Sequence, residues 1–189
     1  AESYITLGRA YLSSSPYLAK SYLDTAKILY LPHIKNQVSH NKITAVLYNN
    51  YTTLFDYLGE YDSMLYYINV EKETFQKTLE QAYYSQCARY YIEVKEYNLA
   101  LQFLTKAEKA ILKETYFNQL TPYGSLYRKF SLLYIRQGNY KLAAQYAQYS
   151  LNKLLIDFND SSLMVNPSLE TTNNEQRLAS SLNLKARAF

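Results

Sequence analysis

The chain has 189 residues, 48% of them hydrophobic, with four glycines, four prolines and a formal charge of +4 from 20 Lys and Arg against 16 Asp and Glu. This composition excludes a chain dominated by disorder, and Gly and Pro fall so far below their usual share of about 12% that turns must be few and the elements between them long. A single cysteine, Cys87, excludes a disulfide framework or a Cys-based metal cluster. The apolar runs stay well short of the roughly 18 residues of a membrane span, and the absence of any clustered basic run leaves nucleic acid unimplied.

In chain order, apolar periodicity predicts helices near 2–13, 17–31, 41–57, 62–74, 76–94, 97–114, 122–137 and 140–155, with a last helix from about 174 and no strands. Pro16 suits a helix start and Pro32 a stop. Segment 156–173, marked by Asn159, Asp160, Ser161, Ser162 and Asn166-Pro167-Ser168, reads as the one long loop.

These elements repeat. Tyr4, Leu7, Gly8 and Tyr11 precede Ala19, Leu23 and Ala26. Tyr48, Tyr51, Thr52 and Phe55 precede the turn Gly59-Glu60-Tyr61 and then Met64 and Ile68. A third copy runs Tyr84, Cys87, Ala88 and Tyr91, the turn Lys95-Glu96-Tyr97, then Ala100, Leu104 and Ala107. A fourth runs Tyr127, Phe130, Ser131 and Tyr134, the turn Gly138-Asn139-Tyr140, then Ala143, Ala147 and Ser150. Small residues at one level let paired helices approach closely while large neighbours fill the flanking gaps.

The pattern aromatic-x2-Leu-Gly-x2-Tyr with later small residues resembles the tetratricopeptide repeat, whose unit is a helix-turn-helix of about 34 residues. That resemblance implies an all-α, right-handed α-solenoid of about four hairpins, near 2–31, 41–74, 76–114 and 122–155, plus a following helix, all in one domain. Residues 140 to 189, with Asp157-Phe158-Asn159-Asp160, Asn166-Pro167-Ser168-Leu169 and Leu182 to Ala188, further resemble the repeat regions of bacterial CHAT-domain proteins, in which such an array precedes a caspase-like peptidase domain. The apolar final helix ends without a stop signal, so the chain is expected to be a fragment of a longer protein, and its truncated ends to favour end-to-end self-association.

Chemistry-bearing residues are sparse. Cys87 takes a packing position of its repeat, and His33 and His40, both expected in a loop, have no carboxylates at ligand spacing. Asp157 to Ser161 has the look of a calcium loop, but Ser162 stands where Gly is needed and Ser168 where a bidentate Glu is needed, so a local turn is the expectation. Isolated glycines build no phosphate cradle. No cofactor and no metal are expected, and the chain reads as a non-enzyme.

Twenty-three tyrosines and no tryptophan stand out. Most suit repeat positions where the ring packs and the hydroxyl reaches water, while doublets such as Tyr66-Tyr67 must expose one ring as a contact point. In the solenoid geometry, first helices line a concave groove. Its expected lining is Arg9, Asn49, Asn50, Thr53, Asp56, Ser85, Gln86, Arg89, Glu93, Arg128, Lys129 and Arg136. Amides grip a peptide backbone and Arg forks a carboxylate, so the expected partner is a peptide or protein, in a cytoplasmic setting with an extracytoplasmic one left open. The alternative is the sensory or regulatory region of a bacterial signalling protein.

Overall fold

The structure, a computed structural model, describes residues 2–30, 32, 38–74, 80–113, 120–155, 158–167 and 175–189, without the side chains of 38–42, 73–74, 120–121 and 175–177. All regular structure among them is helical: α1 Glu2–Tyr11, α2 Pro16–Tyr30, α3 Val38–Leu58, α4 Tyr61–Thr74, α5 Glu80–Glu93, α6 Tyr97–Lys113, α7 Leu120–Arg136, α8 Tyr140–Leu154 and α9 Glu175–Ala186. The expected helices are all present, and no strand occurs among the described residues. One placement is corrected: His40 falls inside α3, which starts earlier than expected because no Gly or Pro between Pro32 and Gly59 stops it. His33 lies outside the described residues, as do Asp157 and Ser168.

The chain divides into two compact units, residues 1–79 and 80–189. In the first, α1 packs on α2 and α3 on α4, with α3 also against α1 and α2. In the second, α5 pairs with α6 and α7 with α8, while α7 contacts both α5 and α6 and α9 lies on α7 and α8. Their cores combine aliphatic and small residues, Ala19, Leu23, Ala26, Leu47, Leu54 and Ile68 in the first and Ala88, Ile92, Ala100, Leu104, Ala107 and Leu133 in the second, with buried rings such as Tyr51 and Phe130.

Three of the four pairs turn in the same way. Gly59, Lys95 and Gly138 adopt left-handed backbone conformations with φ of 71°, 65° and 74°. The next N–H then reaches back five residues, Glu60 to the Phe55 carbonyl (2.9 Å), Glu96 to Tyr91 (2.9 Å) and Asn139 to Tyr134 (2.8 Å). This satisfies carbonyls that the first helix leaves open. The same three residues open the second helices, their carbonyls accepting from Met64, Ala100 and Ala143. The Asn139 side chain also accepts from the Leu142 N–H at 3.2 Å, a cap that fixes the start of α8.

The small residues work at a common level. A Cβ on Gly8 would meet the Leu23 side chain at 2.7 Å and the Ala19 carbonyl at 3.3 Å. At the equivalent place in the fourth pair, buried Ser131 donates to the Ala143 carbonyl at 2.9 Å. In both pairs the first helix lies against the backbone of the second.

Large residues fill the adjoining level. Tyr22 lies 6.3 Å from Tyr4 and 5.8 Å from Tyr11, ring centre to ring centre. Tyr67 stacks on Tyr51 at 4.5 Å and Phe55 at 5.5 Å, with Tyr48 at 5.8 Å. Phe103 lies against Tyr84 and Tyr91 (6.2 and 5.3 Å). Tyr146 lies against Tyr127, Phe130 and Tyr134 (5.9, 4.7 and 5.4 Å). Each second-helix ring stands three residues beyond Ala19, Met64, Ala100 or Ala143, so one aromatic clasp is built four times. Such ring pairs add to area burial.

Candidate functional site

In the second unit the apolar stripe of α5, running through Tyr84, Cys87, Ala88 and Tyr91, is committed to the core shared with α6. The stripe beside it carries Gln86, Arg89 and Glu93, three and four residues apart and so on one face of the helix. In α7, Tyr127, Phe130 and Tyr134 pack toward α8, which leaves Ser125, Lys129, Leu132 and Arg136 as a neighbouring stripe. Because α5 and α7 touch, the two polar stripes meet.

Their junction is an ion triad. Glu93, its side chain 8% exposed, accepts from Arg89 Nη2 at 2.9 Å within α5. It also accepts from Arg136 Nη2 of α7, at 3.3 Å on Oε1 and 3.0 Å on Oε2. Two guanidiniums thus hold one carboxylate that has little water of its own, and the group carries a net positive charge. Further along α7, Arg128 and Lys129 both approach Ser125 Oγ at 3.5 Å, extending the cationic character of the face. The Oε1 atom of half-buried Gln86 is buried without a hydrogen-bond partner among the described residues.

The structure therefore brings together Arg89, Glu93 and Arg136 of the expected lining, and keeps Gln86, Arg128 and Lys129 partly accessible on the same two helices. Two expected lining residues are corrected. Ser85 of α5 and Asn50 of α3 are buried, 8% and 5% exposed, and Asn50 Nδ2 finds no hydrogen-bond partner among the described residues. The periodicity that set them apart from the core marks contact with one partner helix only, whereas α3 packs against three helices and α5 against two within their units. Arg9 and Asn49 are exposed in the first unit, and Thr53 and Asp56 half-buried. Thr53 spends its hydroxyl on the Asn49 carbonyl at 3.0 Å.

Sequence reasoning missed a polar centre at the other end of the second unit. Lys185 of α9 is only 4% exposed. Its ammonium donates to Gln148 Oε1 at 2.7 Å, the Val165 carbonyl at 2.6 Å and Asn166 Oδ1 at 2.9 Å, which uses all three of its protons. Burial holds its pKa below the ordinary lysine value, with the nearby Asp160 carboxylate pulling part of the way back. Gln148 and Asn152 each donate to the Asp160 carbonyl (2.8 and 2.9 Å), so the segment 158–167 is tied to α8 and α9 through its backbone. Within it the Ser162 N–H bonds Asp160 Oδ1 at 2.7 Å, the local turn expected there. The available signal was spacing, since Leu178, Ser181, Lys185 and Ala188 form the buried stripe of the last helix.

Among the described residues no three His, Cys, Asp or Glu side chains converge as a metal site would require. Among them, too, no helix is long and apolar enough to cross a membrane. The chain matches no family model, no curated protein and no solved structure.

Proposed function

We propose that the chain is a non-catalytic, tetratricopeptide-like interaction module that takes an acidic or carboxylate-ended peptide segment on the first-helix faces of its second unit, α5 and α7. The observation that carries this reading is the junction of α5 and α7, where Arg89 and Arg136 converge on the single carboxylate of Glu93 with Arg128 and Lys129 alongside on α7. Arg recognises carboxylates through paired, charge-assisted hydrogen bonds, and a cationic face raises the encounter rate with an acidic partner. Support for the repeat reading comes from the turn and the aromatic clasp recurring in register, and the right-handed stacking of the hairpins belongs to the same proposal.

The test is binding of a short acidic peptide to Arg89→Glu and Arg128→Glu variants. Each reversal changes the local charge by two and is expected to weaken binding about tenfold at low salt, with the difference shrinking as salt rises. Unchanged affinity in both variants removes the α5 and α7 face from the proposal.

A further inference from the structure

The α5 and α7 junction holds more detail than a basic face requires. Arg136 is 42% exposed on its side chain, yet it is anchored at a single nitrogen. Both of its hydrogen bonds to Glu93 leave from Nη2, while Nη1 and Nε make none among the described residues. A guanidinium presents five donors in a planar fork, so the carboxylate of Glu93 anchors the group at Nη2 and leaves the Nη1 and Nε donors unused among the described residues, on a side chain that is exposed. Arg89, on the same helix as Glu93, holds that carboxylate in turn.

We infer that Glu93 is a positioning residue and Arg136 the contact residue of the acidic-peptide site, the unused guanidinium edge of Arg136 forking one carboxylate of the ligand. The inference rests on the function proposed above and sharpens it. A flexible arginine on a helix end must freeze several rotors when it binds, whereas one anchored at Nη2 has already given up part of that freedom. Glu93 thus raises affinity for an anion although its own charge opposes one. Charge alone and positioning therefore predict opposite signs for the same substitution.

Glu93→Gln adds one positive charge to the face. On electrostatics alone it would bind an acidic peptide more tightly. If Glu93 orients Arg136, the variant binds more weakly, by about fivefold. Arg136→Lys keeps the charge and loses the fork, and is expected to lose as much affinity as Arg136→Met. The measurement is the affinity of the full chain for acetylated hexaglutamate, with acetylated hexaserine as the uncharged control, each variant being checked for an unchanged melting temperature. Arg136 is the more exposed member of the pair, so its variants remain informative where Glu93→Gln fails to fold.

Wild-type protein that binds hexaglutamate, with Glu93→Gln weaker and Arg136→Lys as poor as Arg136→Met, is the expected result. Hexaglutamate bound equally or more tightly by Glu93→Gln, or equally well by Arg136→Lys, overturns the positioning role and leaves the interaction module standing. Wild-type protein that treats hexaglutamate and hexaserine alike overturns both.

Discussion

Lys95 holds φ at 65°, a conformation that costs an L-residue with a Cβ roughly 1–2 kcal/mol, and it does so in the turn where the second and fourth pairs place Gly59 and Gly138. The turn is kept because Lys95 N–H and Glu96 N–H both close hydrogen bonds on α5, at 3.2 and 2.9 Å. Lys95→Gly is therefore expected to raise stability by about 0.5–1 kcal/mol, the strain relieved less the entropy glycine adds to the unfolded chain. An unchanged denaturation midpoint in urea would contradict it. The burial of Lys185 belongs to the same scale. Burial lowers its affinity for the proton, and its three hydrogen-bond acceptors are neutral groups, which leaves only the more distant Asp160 carboxylate to pull part of the way back.

At the scale of elements, the unit of construction is the helical pair, and its specificity lies in alternating levels. Where Gly8 or Ser131 stands, the second helix comes close enough for its backbone to touch the first. Where Tyr146 stands, three rings of α7 enclose one of α8. Truncating that ring opens a gap in the clasp that the rigid backbone contacts nearby cannot collapse to fill. Tyr146→Ala is expected to cost about 3 kcal/mol, while Tyr146→Phe keeps the stack and costs under about 1 kcal/mol. The two are separable by chemical denaturation followed by far-ultraviolet circular dichroism, and equal losses would show that the hydroxyl and not the stack matters. The clasp also explains the tyrosine count, because the pair asks for aromatics on both of its helices and a half-buried site suits a ring with a polar tip.

At the scale of the whole molecule the tyrosines set the response to alkali. Burial holds the phenols of Tyr51, Tyr83, Tyr91, Tyr123, Tyr127 and Tyr146 above the ordinary value of 10.0, with Tyr127 pushed up to about 12. The Glu108 carboxylate adds to the shift for Tyr123, Tyr127 and Tyr146. The folded chain keeps protons that the unfolded chain releases as pH passes 10, so this stability is complete below that value and is lost progressively above it, the share of Tyr127 by about 12. Lys185 works in the opposite sense. Its lowered pKa means that the folded state holds fewer protons below 10.5, so its contribution improves as pH rises toward that value. Tyr30 and Tyr48 are raised as well, and so is the Lys27 ammonium, so eight phenols and one amine against the single lowered amine leave a net loss. Melting temperature is therefore expected to fall steeply above about pH 10, with part of the tyrosinate absorbance appearing only as the helical signal disappears. Tyrosinate that titrates in full near 10 while the helices persist would contradict the assignment.

How much of this was legible in the sequence follows from what each signal measures. Helix positions, the three tight turns and the first-helix aromatics were readable because each depends on local spacing and on a few residues whose backbone preferences are strong, such as Pro16, Gly59 and Gly138. The candidate stripe of Arg89, Glu93 and Arg136 was readable as positions left over from the apolar pattern, but not as a triad, since Glu93 and Arg136 are 43 residues apart and meet only because α5 and α7 pack together. Asn50 and Ser85 were misplaced for the same reason, because periodicity along one helix registers a single neighbour and those positions are covered on other sides. The receiving rings Tyr22, Tyr67, Phe103 and Tyr146, and the burial of Lys185 among Gln148, Val165 and Asn166, likewise required the second helix to be in place. The sequence by itself determined the helices and the repeat, through preferences that act within a few residues along the chain. Only the tertiary structure decided which polar side chains were desolvated and which were left in reach of a partner, because burial and charge pairing depend on what packs from elsewhere.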